Sequence, residues 1–129
     1  MSKPVAKQAD RVTATDTHLV IPEGGGSPVP TPLPFDGALD DALASTVLSQ
    51  HRPVAVVGTI AHQSPGHIVT PKTFQREPSN KATVVVGSST VLAENKALVR
   101  NGDAAETCND PVDQAVGKVI ASGTVLAGG

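Results

Sequence analysis

Aromatic residues are almost absent from this 129-residue chain, which contains Phe35 and Phe74 but no tryptophan or tyrosine. Large enzyme-like cores depend on buried aromatic side chains, and this composition cannot supply one. The only cysteine, Cys108, excludes an intrachain disulfide and indicates folding in a reducing compartment. The ten basic residues are scattered, and the net charge is −2. This distribution argues against nucleic-acid binding, which needs a basic face.

Targeting segments are also missing from the sequence. Residues 1–10 lack the apolar segment of a secretory signal peptide, and no apolar run approaches the length of a membrane span. The sequence therefore predicts a protein that is made and folded in the cytoplasm. If it leaves the cell, a route other than general secretion must carry it.

The residues that are abundant predict an all-β fold with few or no helices. Valine and threonine suit the pleated surface of a strand, and twelve glycines and eleven prolines interrupt the chain too often for long helices. We expect a single domain over residues 1–129, with strands at 82–86 and 116–120. Residues 22–37, rich in glycine and proline, predict an irregular loop, and residues 38–43 predict one helical turn.

An internal repeat is the most informative feature of the sequence. Ser-Thr-Val-Leu at residues 45–48 recurs at 89–92, an offset of 44, and a partial copy, Gly-Thr-Val-Leu, follows at 123–126. A second register matches Pro-Val-Ala at 4–6 with 53–55, an offset of 49. The repeat predicts three quasi-equivalent units around an axis. These units run over about residues 1–35, 43–75 and 87–115, and a closing strand follows near 119–127.

Four side chains are candidate metal ligands: His18, His62, His67 and Cys108. Imidazole and thiolate donors together select zinc, which takes four of them in a tetrahedron. His18, His67 and Cys108 each follow the turn of their own unit by five to eight residues. Three units around an axis would bring these donors to one point, and His62 would supply the fourth. The remaining histidine, His51, is expected in a solvated turn.

Other interpretations of these residues remain open. Cys108 could act as a catalytic thiol with His67 as its base, although catalytic pairs have no reason to occupy equivalent units. A small zinc hydrolase would keep an open coordination position and use a general base such as Glu106. A metal-free β adaptor is the third interpretation. We expect the acidic run Asp103, Glu106, Asp110 and Asp113 to be a solvated loop.

Several segments resemble proteins of the PAAR (proline-alanine-alanine-arginine repeat) family, in the same order and over nearly the whole chain. They are residues 16–20 (DTHLV), 28–35 (PVPTPLPF), 53–58 (PVAVVG), 64–68 (SPGHI), 87–91 (GSSTV) and 101–111 (NGDAAETCNDP). The motif that gives the family its name is degenerate here, at 53–56 and 97–100. The resemblance is to the branch found in type VI secretion and related extracellular injection systems.

The resemblance implies a small cone of short strands with three pseudo-threefold units and a zinc held near its apex by three histidines and one cysteine. It implies a structural protein rather than an enzyme. Such a protein caps the blunt end of a trimeric β-helical spike, one tip per trimer, and sharpens it for piercing a target membrane. The family implies assembly in the bacterial cytoplasm and export as part of the particle. With no effector extension expected, any cargo would bind non-covalently.

Overall fold

The computed structural model describes residues 2–129. Residue 1, which belongs to the first predicted unit, lies outside the described residues. The described chain forms thirteen β-strands: β1 (Lys3–Pro4), β2 (Arg11–Ile21), β3 (Val29–Asp41), β4 (Ala44–Ser49), β5 (Arg52–Val54), β6 (Ile60–His62), β7 (Thr73–Phe74), β8 (Lys81–Val84), β9 (Leu92–Ala93), β10 (Lys96–Ala97), β11 (Ala104–Thr107), β12 (Gln114–Ile120) and β13 (Leu126–Ala127). No helix occurs in residues 2–129, which confirms the predicted all-β class. Accordingly, this part of the chain has no helix of the length and hydrophobicity needed to cross a membrane.

Six of the strands close into an antiparallel barrel. Strands β2, β3, β6, β8, β11 and β12 follow one another around it, and β12 pairs with β2 to complete the circle. The barrel therefore consists of three antiparallel pairs, β2–β3, β6–β8 and β11–β12, and the second strand of each pair extends past the predicted end of its repeat unit. The strands predicted at 82–86 and 116–120 appear as β8 and β12. Closure leaves none of these six strands as a fully open sheet edge.

The predictions of an irregular loop at 22–37 and a helical turn at 38–43 were wrong, because strand β3 covers much of both segments. The strand runs from Val29 to Asp41 and pairs with β2 along most of that length. Its prolines, Pro30, Pro32 and Pro34, occur at every second residue, so their missing N–H groups all lie on one edge. The N–H of Asp36, in the same alternation, bonds to the Gln63 side chain rather than to β2. The prolines are thus tolerated because their nitrogens face away from β2.

Three segments close one end of the barrel in a cyclic pattern, which we call the ring. The N–H of Ala6 donates to the carbonyl of Val99 (2.9 Å), Val99 donates to Ala55 (3.0 Å), and Ala55 donates back to Ala6 (2.9 Å). The three residues are fully buried. A pseudo-threefold axis therefore relates these three backbone hydrogen bonds. It agrees with the three units predicted from the repeat.

Three short two-stranded pairs adjoin the ring; two are true hairpins, and we call all three the ring hairpins. They are β4–β5, β9–β10 and β13–β1. The first two have matching turns, with positive φ at Gln50 and His51 and at Glu94 and Asn95, so the solvated turn expected for His51 is confirmed. The third is formed by the two ends of the chain. One copy of the repeated Thr-Val-Leu sequence lies in β4, and the other two copies lead into β9 and β13, which begin at the leucine.

Small and branched apolar side chains fill the barrel in layers that follow the pseudo-threefold axis. Leu39, Val84 and Val119 occupy equivalent positions in the three strand pairs and are fully buried. The equivalent positions two residues towards the opposite end of the barrel hold Gly37, Ala82 and Gly117, which we call the small-residue layer. A six-strand barrel has little interior space, so bulky and small layers must alternate. This explains how the chain packs with so few aromatic residues.

Gly117→Ala is expected to destabilise the barrel. A Cβ there would lie 2.8 Å from Cγ2 of Thr107 and 3.0 Å from the carbonyl oxygen of Ala105. Overpacking of this kind costs about 1–3 kcal/mol. Gly128→Ala is the matched control, because its nearest neighbour, Oγ of Ser2, is 4.0 Å from the added Cβ. Thermal melts of the two variants check this, and equal melting temperatures would contradict the packing of the small layer.

Candidate metal centre

Four buried side chains come together at the end of the barrel that lies away from the ring. Asp16 and His18 lie on β2, His67 on the segment between β6 and β7, and Cys108 directly after β11. One ligand atom from each of these residues lies within 4.8 Å of every other. All three repeat units therefore contribute to the cluster. The sequence predicted this meeting for His18, His67 and Cys108.

Asp16 and His18 enter the cluster because they lie two residues apart on one strand. Alternate side chains of a strand point to the same face, and in β2 this face is the barrel interior. Oδ2 of Asp16 lies 3.0 Å from Nε2 of His67 and accepts a 3.3 Å hydrogen bond from the Cys108 thiol. The donor set is thus two imidazoles, one thiol and one carboxylate.

His18 lacks hydrogen-bond partners although it is buried. Its side chain is 1% exposed, and among the described residues neither ring nitrogen has a hydrogen-bond partner. Buried polar groups are nearly always paired, so an orphan calls for an explanation. A metal ion between His18, His67, Cys108 and Asp16 would supply the missing partner. The residues present therefore fit a bound cation.

Outer partners hold the imidazoles in place. Nδ1 of His67 lies 3.2 Å from the Gln63 side-chain amide, and its Nε2 faces the cluster. Nδ1 of His18 lies 3.5 Å from the carboxylate of Asp110, which is an ion-pair distance rather than a well-formed hydrogen bond. Arg76 donates to the other oxygen of Asp110 at 3.0 Å. Such second contacts orient metal-binding histidines.

The loop that carries Cys108 is pinned to β2 by hydrogen bonds. Oδ1 of Asn109 accepts the N–H of Thr17, and Oδ2 of Asp110 accepts the N–H of Leu19, both at 2.7 Å. The N–H of Asp110 donates to the carbonyl of Thr17 at 2.8 Å. The loop therefore continues the pairing around β2 where regular strands end. It sets Cys108 against the interior face of that strand.

Both phenylalanines of the chain cover the cluster. The Phe74 ring packs edge-on to His18 with a centroid distance of 5.6 Å, and the Phe35 ring packs edge-on to His67 at 6.3 Å. Phe35 is 1% exposed. Apolar rings at this place keep water away from the polar side chains. The two aromatic residues thus lie beside the candidate metal centre, and Phe35 also belongs to the buried core of the barrel.

Burial shifts two pKa values within the cluster. Burial raises the pKa of the Cys108 thiol to about 11, and the nearby Asp16 carboxylate adds to the effect. Burial, together with repulsion from His67, lowers the pKa of His18, although Asp110 and Asp16 oppose this. Without a metal, the cysteine is therefore a neutral thiol at neutral pH. His18 is a neutral imidazole, ready to act as a donor.

We expect metal binding to release about one proton near neutral pH, because the ion must displace the proton of Cys108 while His18 is already neutral. The apparent affinity should then rise roughly tenfold per pH unit between pH 7 and pH 9, below the pKa of the thiol. Calorimetric titrations in buffers of different ionisation enthalpy count the protons. Binding without proton release would show that Cys108 does not coordinate as a thiolate.

His62 lies apart from the other three predicted ligands. Its Nδ1 is 2.6 Å from Oδ1 of Asp40, and the side chain is 37% exposed. The physical reason is strand alternation: Ala61 points into the barrel, so its neighbour on β6 points outward. Asp16, which the sequence interpretation did not include, occupies the fourth place in the cluster.

The acidic run is not the uniformly solvated loop that was expected. Asp103 is buried against Arg100, whose guanidinium donates to both carboxylate oxygens at 3.0 Å. Asp110 is buried beside His18. Glu106 and Asp113 are exposed, as expected. Glu106 lies on the outer face of β11 and is not part of the cluster.

Comparison with protein-family models found no match, and neither curated proteins nor solved structures gave a significant match. The evidence on function therefore comes from the fold and the cluster. Together they show a small closed β-barrel with a buried Asp-His-His-Cys group that could bind a metal ion.

Proposed function

We propose that this protein is the tip of the spike of a contractile injection system, one copy capping a trimeric β-helical spike and a structural zinc fixing its apex. The observation that carries the proposal is the pseudo-threefold ring with its three ring hairpins. A single chain with three similar faces around an axis suits a partner with true threefold symmetry. The resemblance to PAAR proteins, found in the sequence, supports the same function.

The ring hairpins present equivalent apolar side chains to the outside. Leu48, Leu92 and Leu126 are 58%, 62% and 56% exposed, and the valine that precedes each of them is also exposed. Exposed apolar groups repeated around an axis are typical of a contact surface. We call the six residues the Val-Leu face: Val47, Leu48, Val91, Leu92, Val125 and Leu126. A spike trimer would cover all three Val-Leu pairs at once.

The ring hairpins also form a cycle with one another, which stiffens the Val-Leu face. The N–H of Thr46, on the first hairpin, donates to the Glu94 side chain at the turn of the second. Oγ of Ser88, just before the second hairpin, donates to the carbonyl of Gly128 at the third (2.6 Å). Gln50, at the turn of the first, lies against Gly123 at the start of the third. A rigid threefold face loses little conformational entropy on docking.

A structural zinc suits the opposite end. The metal would be bound by residues near the tips of the three strand pairs, and within residues 2–129 the only regular strand pairing at these tips is β2–β7. Zinc with four protein ligands contributes folding free energy directly. In this proposal the metal turns three hairpin tips into one stiff apex for membrane piercing. Assembly would occur in the cytoplasm, with export as part of the particle.

The alternative of a zinc hydrolase has less support. Such an enzyme needs an open coordination position and a nearby general base. His67 lines a surface pocket of about 250 Å³, but its own side chain is only 2% exposed, and the other three members of the cluster do not line that pocket. Glu106, the candidate base, lies on the outer face of the barrel.

The proposal is tested by mixing the purified protein with a trimeric spike protein encoded beside it and measuring the mass of the complex. We expect three spike chains with one tip and one zinc. A complex with three tips, or no complex with any neighbouring spike trimer, would contradict the proposed function. Metal content is measured on the same sample, so the zinc and the docking are scored separately.

A further inference from the structure

Asp16 is an unusual aspartate because it is fully buried and lacks a cationic partner. It is 0% exposed on the interior face of β2. Within residues 2–129 its only ion-pair contact is His67, whose charge depends on protonation. A buried carboxylate is costly unless a positive charge or a full set of hydrogen bonds compensates it. Hydrogen-bonding contacts with Thr107, Cys108 and His67 surround the carboxylate, and a bound cation would supply the compensating positive charge.

The two oxygens of Asp16 have different environments. Oδ1 accepts a 2.5 Å hydrogen bond from the hydroxyl of Thr107, and that hydroxyl accepts from Nδ2 of Asn109 at 3.0 Å. Oδ2 instead faces Nε2 of His67 and the sulfur of Cys108. The relay from Asn109 through Thr107 fixes the carboxylate, so that one oxygen is tied to the protein and the other points at the donor atoms.

The geometry points to Asp16 as the fourth metal ligand, binding a divalent cation through Oδ2 alone, with Thr107 and Asn109 as positioning residues. This inference rests on the metal centre of the proposed function and replaces the third histidine that the resemblance implies. His18, His67 and Cys108 supply the other donors. The set becomes two nitrogens, one sulfur and one oxygen, all of which zinc accepts.

Charge balance is satisfied by this set in a buried place. A divalent ion with one thiolate, one carboxylate and two neutral imidazoles has a net charge of zero. With only imidazoles and one thiolate as ligands, the same ion would have a charge of +1, which the buried Asp16 carboxylate neutralises. The neighbouring Asp110 does not upset the balance, because Arg76 neutralises it. A neutral cluster avoids the desolvation cost of a buried net charge.

One other role for Asp16 would fit the same contacts. As an outer partner, it would accept hydrogen bonds from Cys108 and His67 without touching the metal. Loss of an outer partner typically costs about 10–100-fold in metal affinity, and replacing it would not change the ligand atoms. A change of ligand identity at position 16 separates the two roles, since only a ligand changes the atoms bound to the ion.

Asp16→Cys is the decisive variant, with Asp16→Ala beside it and Asp40→Ala as the matched exposed control. We expect X-ray absorption of the zinc-loaded Asp16→Cys protein to show two sulfur ligands where the wild type shows one. In chelator competition we expect Asp16→Ala to lose more than about 100-fold in zinc affinity, beyond the range of an outer partner. Thr107→Val should lose less than Asp16→Ala, and Asp40→Ala and His62→Ala should lose nothing.

One sulfur in Asp16→Cys, or an unchanged affinity in Asp16→Ala, would overturn the assignment of Asp16 while leaving the metal centre intact. Wild-type protein that binds no zinc would overturn both. A loss of zinc in His62→Ala with none in Asp16→Ala would return the fourth position to His62. Docking to a spike trimer is measured separately, so failure of the tip function is distinguishable from each of these outcomes.

Discussion

Cys108→Ala should lower the melting temperature of the zinc-loaded protein far more than a single change at a histidine outside the cluster. The variant removes a ligand and leaves a void beside Asp16, since Cys108 is 1% exposed. Loss of a structural metal costs several kcal/mol. At roughly 3–5 °C per kcal/mol for a domain of this size, we expect a fall of about 10 °C or more. His67→Ala should behave similarly.

His51→Ala is the control for this experiment. His51 lies in the turn between β4 and β5, is exposed, and lies outside the cluster of Asp16, His18, His67 and Cys108. Surface changes of this kind usually stay within about 0.5 kcal/mol. Equal shifts for Cys108→Ala and His51→Ala would show that the cluster does not stabilise the fold.

A chelator separates the metal effect from simple loss of packing. Removing zinc should lower the melting temperature of the wild type and of His51→Ala. It should leave Cys108→Ala and His67→Ala nearly unchanged, since those proteins have little metal to lose. If the chelator lowered all four melting temperatures equally, the stabilisation would not come from this cluster. If it lowered none, the wild type would have no stabilising metal.

The repeat made much of this architecture predictable. Copies of Thr-Val-Leu and Pro-Val-Ala mark backbone segments that take equivalent places around the axis, and the ring joins Ala6, Ala55 and Val99 as the copies imply. The boundaries were less predictable. Proline at alternate positions of β3 looks like a loop in the sequence, and only the pairing with β2 reveals that all the nitrogens face one edge.

The candidate metal centre was also only partly predictable from the sequence. Repeat equivalence found His18, His67 and Cys108, because equivalent hairpins end at the same place. It could not find Asp16, which has no counterpart in the cluster from the other units. The signal that would have found it is local: Asp16 and His18 are separated by one residue on a strand and therefore share a face. The same rule, applied to Ala61, would have placed His62 on the outside.

The acidic residues show why charge runs are hard to interpret. Asp103 forms a buried pair with Arg100, three residues earlier in the chain, and the pair braces the ring next to Gly128. The equivalent place in the first unit has Lys7 paired with Asp10. The second unit has the uncharged pair Val56 and Thr59 at the equivalent positions. The three units therefore share a backbone arrangement but not an ion pair. A comparison of identical residues alone misses this equivalence.

A charge introduced at any one of the three leucines of the Val-Leu face should weaken docking to a spike trimer by about the same amount. Leu48→Asp, Leu92→Asp and Leu126→Asp each place a carboxylate where a covered apolar side chain is proposed, and central apolar anchors of an interface typically cost more than about 1 kcal/mol when removed. We therefore expect each single variant to lose roughly tenfold in affinity, and the triple variant to lose detectable binding.

The matched control for docking is Val116→Asp, an exposed valine on the outer wall of β12 and outside the Val-Leu face. It should bind the trimer as the wild type does, and all five proteins should retain one zinc, because the metal centre lies at the other end of the barrel. Surface plasmon resonance on an immobilised spike trimer gives the affinities, and mass measurement gives the three-to-one stoichiometry. An equal loss for Val116→Asp, or a loss confined to one leucine, would mean that the tip does not dock through three equivalent faces.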